Sequence, residues 1–444
     1  MARDFSSDDH TREPIMTRPA YAMLLLATLS VGTLLVAQER PGPPPRGEQP
    51  PPRPRERGNR YSIEQATSDR AQLHTIAFDG LAFLTGDFAG DTFLPPGKVS
   101  DYFGFQYMRD IDAKEGGHNT SFLTRIAHNM LAVLNQDQKA QLLALGQAQE
   151  RDVRAFAERR LPLIKAFRRN LEGDIPYGSR GLDKRAVVKA SASLYELDGL
   201  IAYQRAKVMA TVLRSLDERQ RAALSRLKFG DSRTWPEVGE PLDKRSMSHD
   251  VNVAVMTYAS EMFAWYAGSL EADTYFCPER HGMYFGGFGM KTAPAMGKQD
   301  YSISTTLTGD SGEGFLSVLN PTQQRRITDL VDLQRQDLTE IVQVRRAIAT
   351  ELRRFLNGEA ADKAKVLALS KRYGELDGEM SYLYATAFAE VGRTLTAAQR
   401  DQLARMRHDN PSDPKGPFIY SSPVRMPKIE NTDLLFGVGT GGRS

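Results

Sequence analysis

The sequence carries an internal repeat, and this feature constrains its fold more than any other. Short motifs recur in the same order and at nearly constant spacing, with separations of 182, 185 and 179 residues along the chain. The matching segments are 91–93 with 273–275, 102–109 with 284–291, 134–138 with 319–323, 196–199 with 375–378, and 216–220 with 395–399. Because chance does not preserve order and spacing over so long a stretch, we expect two tandem copies of one structural unit.

Within each copy the apolar residues follow a helical period. After Asn320 they fall three, four and seven residues apart, which predicts one stripe of a long amphipathic helix that ends near Phe355. The first copy has the same pattern over 136–171, and further long helices are indicated over 187–212 and 363–393. We therefore predict an all-α fold of two tandem helical-bundle repeats with long antiparallel amphipathic helices.

Composition divides the chain into predicted helical repeats, a linker and a tail. Residues 61–240 and 241–408 are predicted to form the two helical repeats, and 409–444, rich in Pro and Gly, an extended C-terminal tail. Residues 41–60 contain eight prolines and five arginines, which predicts a semi-rigid extended linker. The chain has 58 Lys and Arg against 55 Asp and Glu, a balance that does not favour nucleic-acid binding. A single cysteine excludes an internal disulfide framework.

Residues 1–40 resemble an export segment. An uncharged apolar run covers 21–37, near the lower limit for crossing a bilayer, so the segment is either a signal peptide or a membrane anchor. Ala37 suits the position before a cleavage point, whereas Leu35 is large for the position two residues earlier, so both alternatives stay open. The start of translation is Met1 or Met16. In either case we expect the body to be extracytoplasmic, periplasmic if the organism has that compartment, and either secreted or anchored to the inner membrane.

One short pattern, Leu, then Asn, Asp or Thr, then two residues and Gln, occurs four times, each time before an amphipathic run. The cap and glutamine positions are Asn135 with Gln138, Asp217 with Gln220, Asn320 with Gln323, and Thr396 with Gln399. This is the pattern of a capping box, in which the cap side chain accepts from a first-turn amide and the glutamine reaches back to the amide of the cap residue. The pattern predicts four helix starts, two in each repeat.

The same motif resembles the Spy/CpxP-like family of periplasmic proteins, which is named for its L-T-x-x-Q motifs. The closest match is Leu395 to Gln399; the other three sites have Asn or Asp in the Thr position. The resemblance covers the helical parts of the chain. It implies small helical homodimers that form a concave cradle and act as ATP-independent chaperones or in envelope and metal-stress responses. Two copies in one chain would then build a pseudo-dimer.

Two loops place aromatic residues among glycines at equivalent positions of the repeats. Their aromatic residues are Tyr102, Phe103 and Phe105 in the first copy and Tyr284, Phe285 and Phe288 in the second. One interpretation is an adaptable apolar binding surface. The alternative is a loop held over the bundle by its buried rings.

Cys277, His281 and Met283 place thiolate, imidazole and thioether donors within a few residues of one another. Soft ligands of this kind suit copper, which makes a metal-binding or metal-sensing protein the second hypothesis. The alternative is a buried cysteine beside a surface histidine, since the first repeat lacks these residue types at the equivalent positions.

No nucleophile, base and orienting group occur together in both copies, so we expect a protein without enzymatic activity and without a required cofactor. The leading hypothesis is an extracytoplasmic helical protein that binds unfolded or envelope proteins on an apolar concave face. A structural envelope component, in which the linker sets a standoff distance from the inner membrane, is a third hypothesis.

Overall fold

A computed structural model gives the architecture over residues 67–86, 121–227, 234–267, 312–407, 418–419, 422–423, 428–429 and 431–438. In the first part of the chain the helices are α1 (Asp69–Thr85), α2 (Ser121–Val133), α3 (Gln136–Glu172), α4 (Lys184–Arg214), α5 (Glu218–Ser225) and α6 (His249–Ala267). The later helices are α7 (Glu313–Leu316), α8 (Pro321–Leu333), α9 (Arg335–Arg353), α10 (Lys363–Thr394) and α11 (Ala397–Arg407). Most of the described residues are helical, which confirms the all-α fold class.

Strands are few and short in this part of the chain. They are β1 (Ser179–Leu182), β2 (Phe418–Ile419), β3 (Ser422–Pro423) and β4 (Phe436–Val438). Strand β4 pairs antiparallel with β1, and β3 pairs with β2. The first pairing brings part of the predicted C-terminal tail onto the helical body.

Local sequence signals set the bounds of the longest helices. Helix α3 begins after Asn135, contains Pro162, and ends at Gly173, whose φ of 78° is the left-handed conformation that suits glycine at a helix end. The amphipathic run predicted over 320–355 forms α8 and α9, which are separated only at Gln334. The helical hydrogen-bond ladder continues through Gln334, because its N–H donates to Leu330 O and its carbonyl accepts from Leu338 N. These two helices therefore act as one long element.

The first helix of each sequence copy packs against helices of the other copy. Helix α1 lies against α7, α8, α10 and α11, whereas α6 lies against α2, α3 and α4. The described residues belong to one compact unit, and a single cluster of buried apolar side chains contains members from both predicted repeats. Helices α1 and α6 each pack against residues on the other side of position 240 in the chain, and we call them the exchanged helices.

The predicted signal or anchor segment 1–40 and the linker 41–60 lie outside the described residues. Among the residues that the structure describes, no helix has the length and apolar character needed to cross a membrane.

Candidate functional site

The four capping motifs meet in two pairs, each of which we call a glutamine clasp. In the first clasp, Gln138 Oε1 accepts from Asn135 N at 3.0 Å, and Gln220 Oε1 accepts from Asp217 N at 3.0 Å. The two side-chain amides then bond each other, with Gln220 Nε2 to Gln138 Oε1 at 2.7 Å and Gln138 Nε2 to Gln220 Oε1 at 3.3 Å. Gln220 Nε2 also donates to Val133 O at 2.9 Å. One pair of side chains thus joins the starts of α3 and α5 to the end of α2.

The second clasp repeats these bonds at the corresponding positions. Gln323 Oε1 accepts from Asn320 N at 2.9 Å and Gln399 Oε1 from Thr396 N at 3.0 Å. Gln399 Nε2 donates to Gln323 Oε1 at 2.8 Å and to Val318 O at 2.8 Å. Since Val318 lies 185 residues after Val133, even the backbone partner is equivalent. The clasp joins the starts of α8 and α11.

Three of the four clasp glutamines are buried and Gln399 is partly buried, so the loss of their hydrogen bonds costs more free energy than the loss of an exposed helix cap. Gln138 is 2% exposed, Gln220 8% and Gln323 2%. A buried amide that loses its partner keeps its full desolvation cost, of about 1–3 kcal/mol per group. The motif therefore has two structural roles. It caps the start of each helix, and it fixes the positions of two helix starts relative to each other.

Helices α4 and α10 form the seam between the two sequence copies, and small residues line it. A Cβ on Gly199 would collide with Ser370, and a Cβ on Gly378 would lie 2.9 Å from the Cβ of Ser191. Gly378 and Ser370 lie 179 residues after Gly199 and Ser191 and are therefore their equivalents in the second copy. Gly199 of the first copy thus contacts the serine of the second, and Gly378 of the second copy contacts the serine of the first. Such reciprocal contacts are characteristic of a two-fold interface.

A buried polar layer lies beneath each exchanged helix, and a glutamine is at its centre. Gln149 Oε1 accepts from the hydroxyl of Tyr258 at 3.0 Å, and Gln334 Oε1 accepts from the hydroxyl of Tyr384 at 2.6 Å. Gln334 Nε2 also donates to Gln72 Oε1 of α1 at 3.0 Å, which ties that helix to the layer. The glutamines are equivalent at a separation of 185, although the tyrosines come from different helices.

One acidic residue of each exchanged helix lies at an equivalent position in the two layers but has a different environment there. Glu261 of α6 accepts from the buried Arg205 at 2.8 Å, and the guanidinium of Arg205 lies 4.6 Å from the ring centroid of Tyr258. The position equivalent to Arg205 is occupied by Tyr384 in the second copy. Asp79 of α1, equivalent to Glu261, therefore lacks that arginine.

Asp79 is fully buried, and neither carboxylate oxygen has a hydrogen-bond partner among the described residues. Burial raises the pKa of Asp79 well above its usual value, and the nearby charge of Arg160 opposes this only in part. Burial and the charge of Asp79 raise the pKa of the Tyr384 hydroxyl, against the hydrogen bond to Gln334. Desolvation thus favours the protonated form of Asp79 in the folded protein.

The other residues singled out from the sequence lie outside the described residues. These are the aromatic residues Tyr102, Phe103, Phe105, Tyr284, Phe285 and Phe288, and the candidate metal ligands Cys277, His281 and Met283. Within the described part of the chain, no group of three or more His, Cys, Asp or Glu side chains has the arrangement of a metal site.

Sequence reasoning missed the buried charges of this site. A charged residue on the apolar stripe of a predicted helix is the signal that would have indicated them: Arg205 and Asp79 both occupy such positions. Arg345 is a further case, since it is buried and donates to the hydroxyl of Tyr373 at 2.6 Å.

The clasps, the seam and the buried layers place sequence-related residues in corresponding contacts, and the buried layers hold the two exchanged helices against the body. No family model, curated protein or solved structure was found to match the chain.

Proposed function

We propose that the chain is a tandem duplicate that folds as a pseudo-dimer, and that it acts outside the cytoplasm as a non-enzymatic protein that binds partly unfolded or envelope proteins. In this respect it would be similar to Spy/CpxP-type chaperones and envelope-stress proteins. The proposal takes the two halves of the chain to stand in for two subunits of a homodimer.

The observation that carries the proposal is the pair of glutamine clasps. Each clasp uses two of the L-T-x-x-Q-like motifs, with the same hydrogen bonds to equivalent backbone carbonyls at Val133 and Val318. The reciprocal glycine and serine contacts at the seam and the exchange of α1 and α6 add support, since all three relate the halves by the same two-fold pattern.

The binding surface is assigned to the two aromatic segments that follow the exchanged helices. Among the side chains whose exposure the structure describes, the exposed large hydrophobic ones are Tyr177, Leu333 and Leu434. Segments 86–120 and 268–311 each connect a helix packed against one half with a helix of the other half. Their aromatic residues would supply adaptable apolar contacts to a client.

The test is suppression of aggregation by the purified protein. Several unfolded model clients are mixed with an equimolar amount of residues 61–444, and light scattering is followed. The expected result is slower aggregation for all clients. Replacing Phe103, Phe105 and Phe285 by Ser should abolish the effect, whereas the control Tyr177→Ser should retain it. Unchanged aggregation in the presence of the wild-type protein would refute the proposal.

A further inference from the structure

The two helical hairpins, α3 with α4 and α9 with α10, differ in length at their turns. Both turns begin at a left-handed glycine, Gly173 with φ 78° and Gly358 with φ 80°, and both end at an aspartate that caps the next helix, Asp183 and Asp362. Nine residues separate the glycine from the aspartate in the first hairpin and three in the second. This difference explains why the separation between repeats falls from 185 to 179, and the longer turn contains strand β1.

The second hairpin closes its turn with its own side chains. Phe355 is buried there, and the carboxylate of Glu351 accepts from Asp362 N at 2.8 Å and from Lys365 Nζ at 2.9 Å. The equivalent positions in the first hairpin are Asn170 and Ala166, which cannot make these contacts.

In the first hairpin the C-terminal segment Asn431–Val438 supplies the missing contacts. Its residues Asp433–Leu435 form a single 3-10 turn, and Phe436–Val438 form β4, which pairs antiparallel with β1 with Leu182 opposite Phe436. Asp183 N donates to Leu435 O at 2.8 Å, and Leu435 is 2% exposed and Phe436 4%. A short strand added to β1, with apolar side chains buried beside it, has the geometry of a peptide in a peptide-binding groove.

Arg169 holds the polar end of this segment. Its Nη1 donates to Asp433 Oδ1 at 2.8 Å and to Thr432 Oγ1 at 2.9 Å, while Nε donates to Asp174. The guanidinium also lies 5.0 Å from the ring centroid of Phe436. One side chain thus contacts an acidic residue and an aromatic residue three positions later. It binds the acid through a charge-assisted hydrogen bond and the ring through a cation–π contact.

We infer that β1, Arg169 and Asp183 form a peptide-binding groove. Its partner is a protein segment that forms a turn and a short strand, with an acidic residue, an apolar residue two positions later and an aromatic residue three positions later. The C-terminal segment is the resident ligand, and a segment of a client protein displaces it. The contact is short, and Asp433 and Leu434 remain 47% and 73% exposed. Opening exposes the buried Leu435 and Phe436, so an incoming segment must bury equivalent apolar side chains to displace the resident one. This inference adds a binding mode to the proposed function and rests on it for the identity of the partner.

A fluorescent peptide with the sequence of residues 430–439 tests the groove on the full chain. In a variant with Leu435→Ser and Phe436→Ser the resident segment can no longer compete, so the peptide should bind at least tenfold more tightly than to the wild type. Adding Arg169→Gln should abolish that binding, and a peptide in which Asn and Ser replace the Asp and Phe should not bind. Hydrogen exchange provides a second measurement: the Asp183 amide should lose protection in the double variant and regain it when the peptide is added.

The groove is refuted if the peptide fails to bind a double variant that keeps wild-type helicity, or if it binds equally well after Arg169→Gln. The aggregation assay on the same samples separates this result from the proposed function. Peptide binding without suppression of aggregation would leave the groove intact and remove the chaperone activity. Suppression of aggregation without peptide binding would refute the groove and leave the chaperone activity intact.

Discussion

The first glutamine clasp offers the sharpest test of how the repeated motif stabilises the fold. The perturbation is Gln220→Ala, which removes the acceptor of Asp217 N and the donor to Val133 O, and breaks both amide bonds to Gln138. A net loss of about 1 kcal/mol per hydrogen bond, plus about 1–3 kcal/mol for each buried group left unsatisfied, sets the scale. Relaxation and water entry recover part of this sum, so we expect unfolding to become easier by about 2–4 kcal/mol.

The assay is urea unfolding followed by circular dichroism, with the midpoint and slope fitted for each protein. Arg219→Ala is the matched control, because Arg219 is exposed on the same short helix and should change the free energy of unfolding by no more than about 0.5 kcal/mol. Gln138→Ala and the double variant complete a mutant cycle. Because the two amides bond each other, the double variant should cost less than the sum of the singles by about 1 kcal/mol or more.

Two results would refute this reasoning. One is a loss below about 0.5 kcal/mol for each single variant, which would reduce the motif to an ordinary exposed cap. The other is strict additivity in the cycle, which would mean that the glutamines act separately. The slope of the unfolding curve must stay constant for either conclusion, since a change of slope indicates a change in the unfolded or folded ensemble.

Four further predictions concern other parts of the chain. Burial raises the pKa of Asp79, so the contribution of this carboxyl to stability is complete at pH values below its ordinary pKa of 3.8 and is lost as the pH rises through the folded pKa. Asp79→Asn does not titrate. Urea titrations from pH 4 to 8 should therefore show the variant becoming more stable relative to the wild type as the pH rises. Gly378→Leu should destabilise by about 3 kcal/mol, because its Cβ would lie 2.8 Å from Val188 Cα, and thermal unfolding will show this. Glu261→Leu removes the carboxylate that the buried Arg205 bonds at 2.8 Å and should cost about 3–5 kcal/mol by the same assay, whereas Glu240→Leu, in an exposed pair, should be nearly neutral. If Cys277 ligates copper, Cys277→Ser should lower the stoichiometry of copper titration, and an unchanged stoichiometry would dismiss that site.

Local features were accessible from the sequence because they depend on residues a few positions apart. The apolar period predicted the long helices, and the capping motifs lie at the starts of α3, α5, α8 and α11 in the structure. A capping box needs only the residue at the cap and the one three positions later. The repeated order of motifs likewise required no coordinates.

Contacts between distant segments were decided by the tertiary structure. The motif gives no sign that Gln138 bonds Gln220, because 82 residues separate them and only helix packing brings them together. The exchange of α1 and α6 was equally inaccessible: a helix with apolar residues on most of its faces can pack against either half, and the connecting segment and complementary surface determine which half it contacts.

The acids Glu261 and Asp79 show the same division most clearly. Glu261 and Asp79 are equivalent in the repeat and similar in chemistry, so sequence comparison treats them alike. Glu261 bonds Arg205, whereas Asp79 has no such arginine and burial raises its pKa. The sequence thus determined the helices, their starts and their repetition, because these follow from short-range backbone and side-chain chemistry. Only the tertiary structure determined which clasp, charge pair and tail contact each copy makes. The free energies of these contacts depend on burial and on partners far away in the chain.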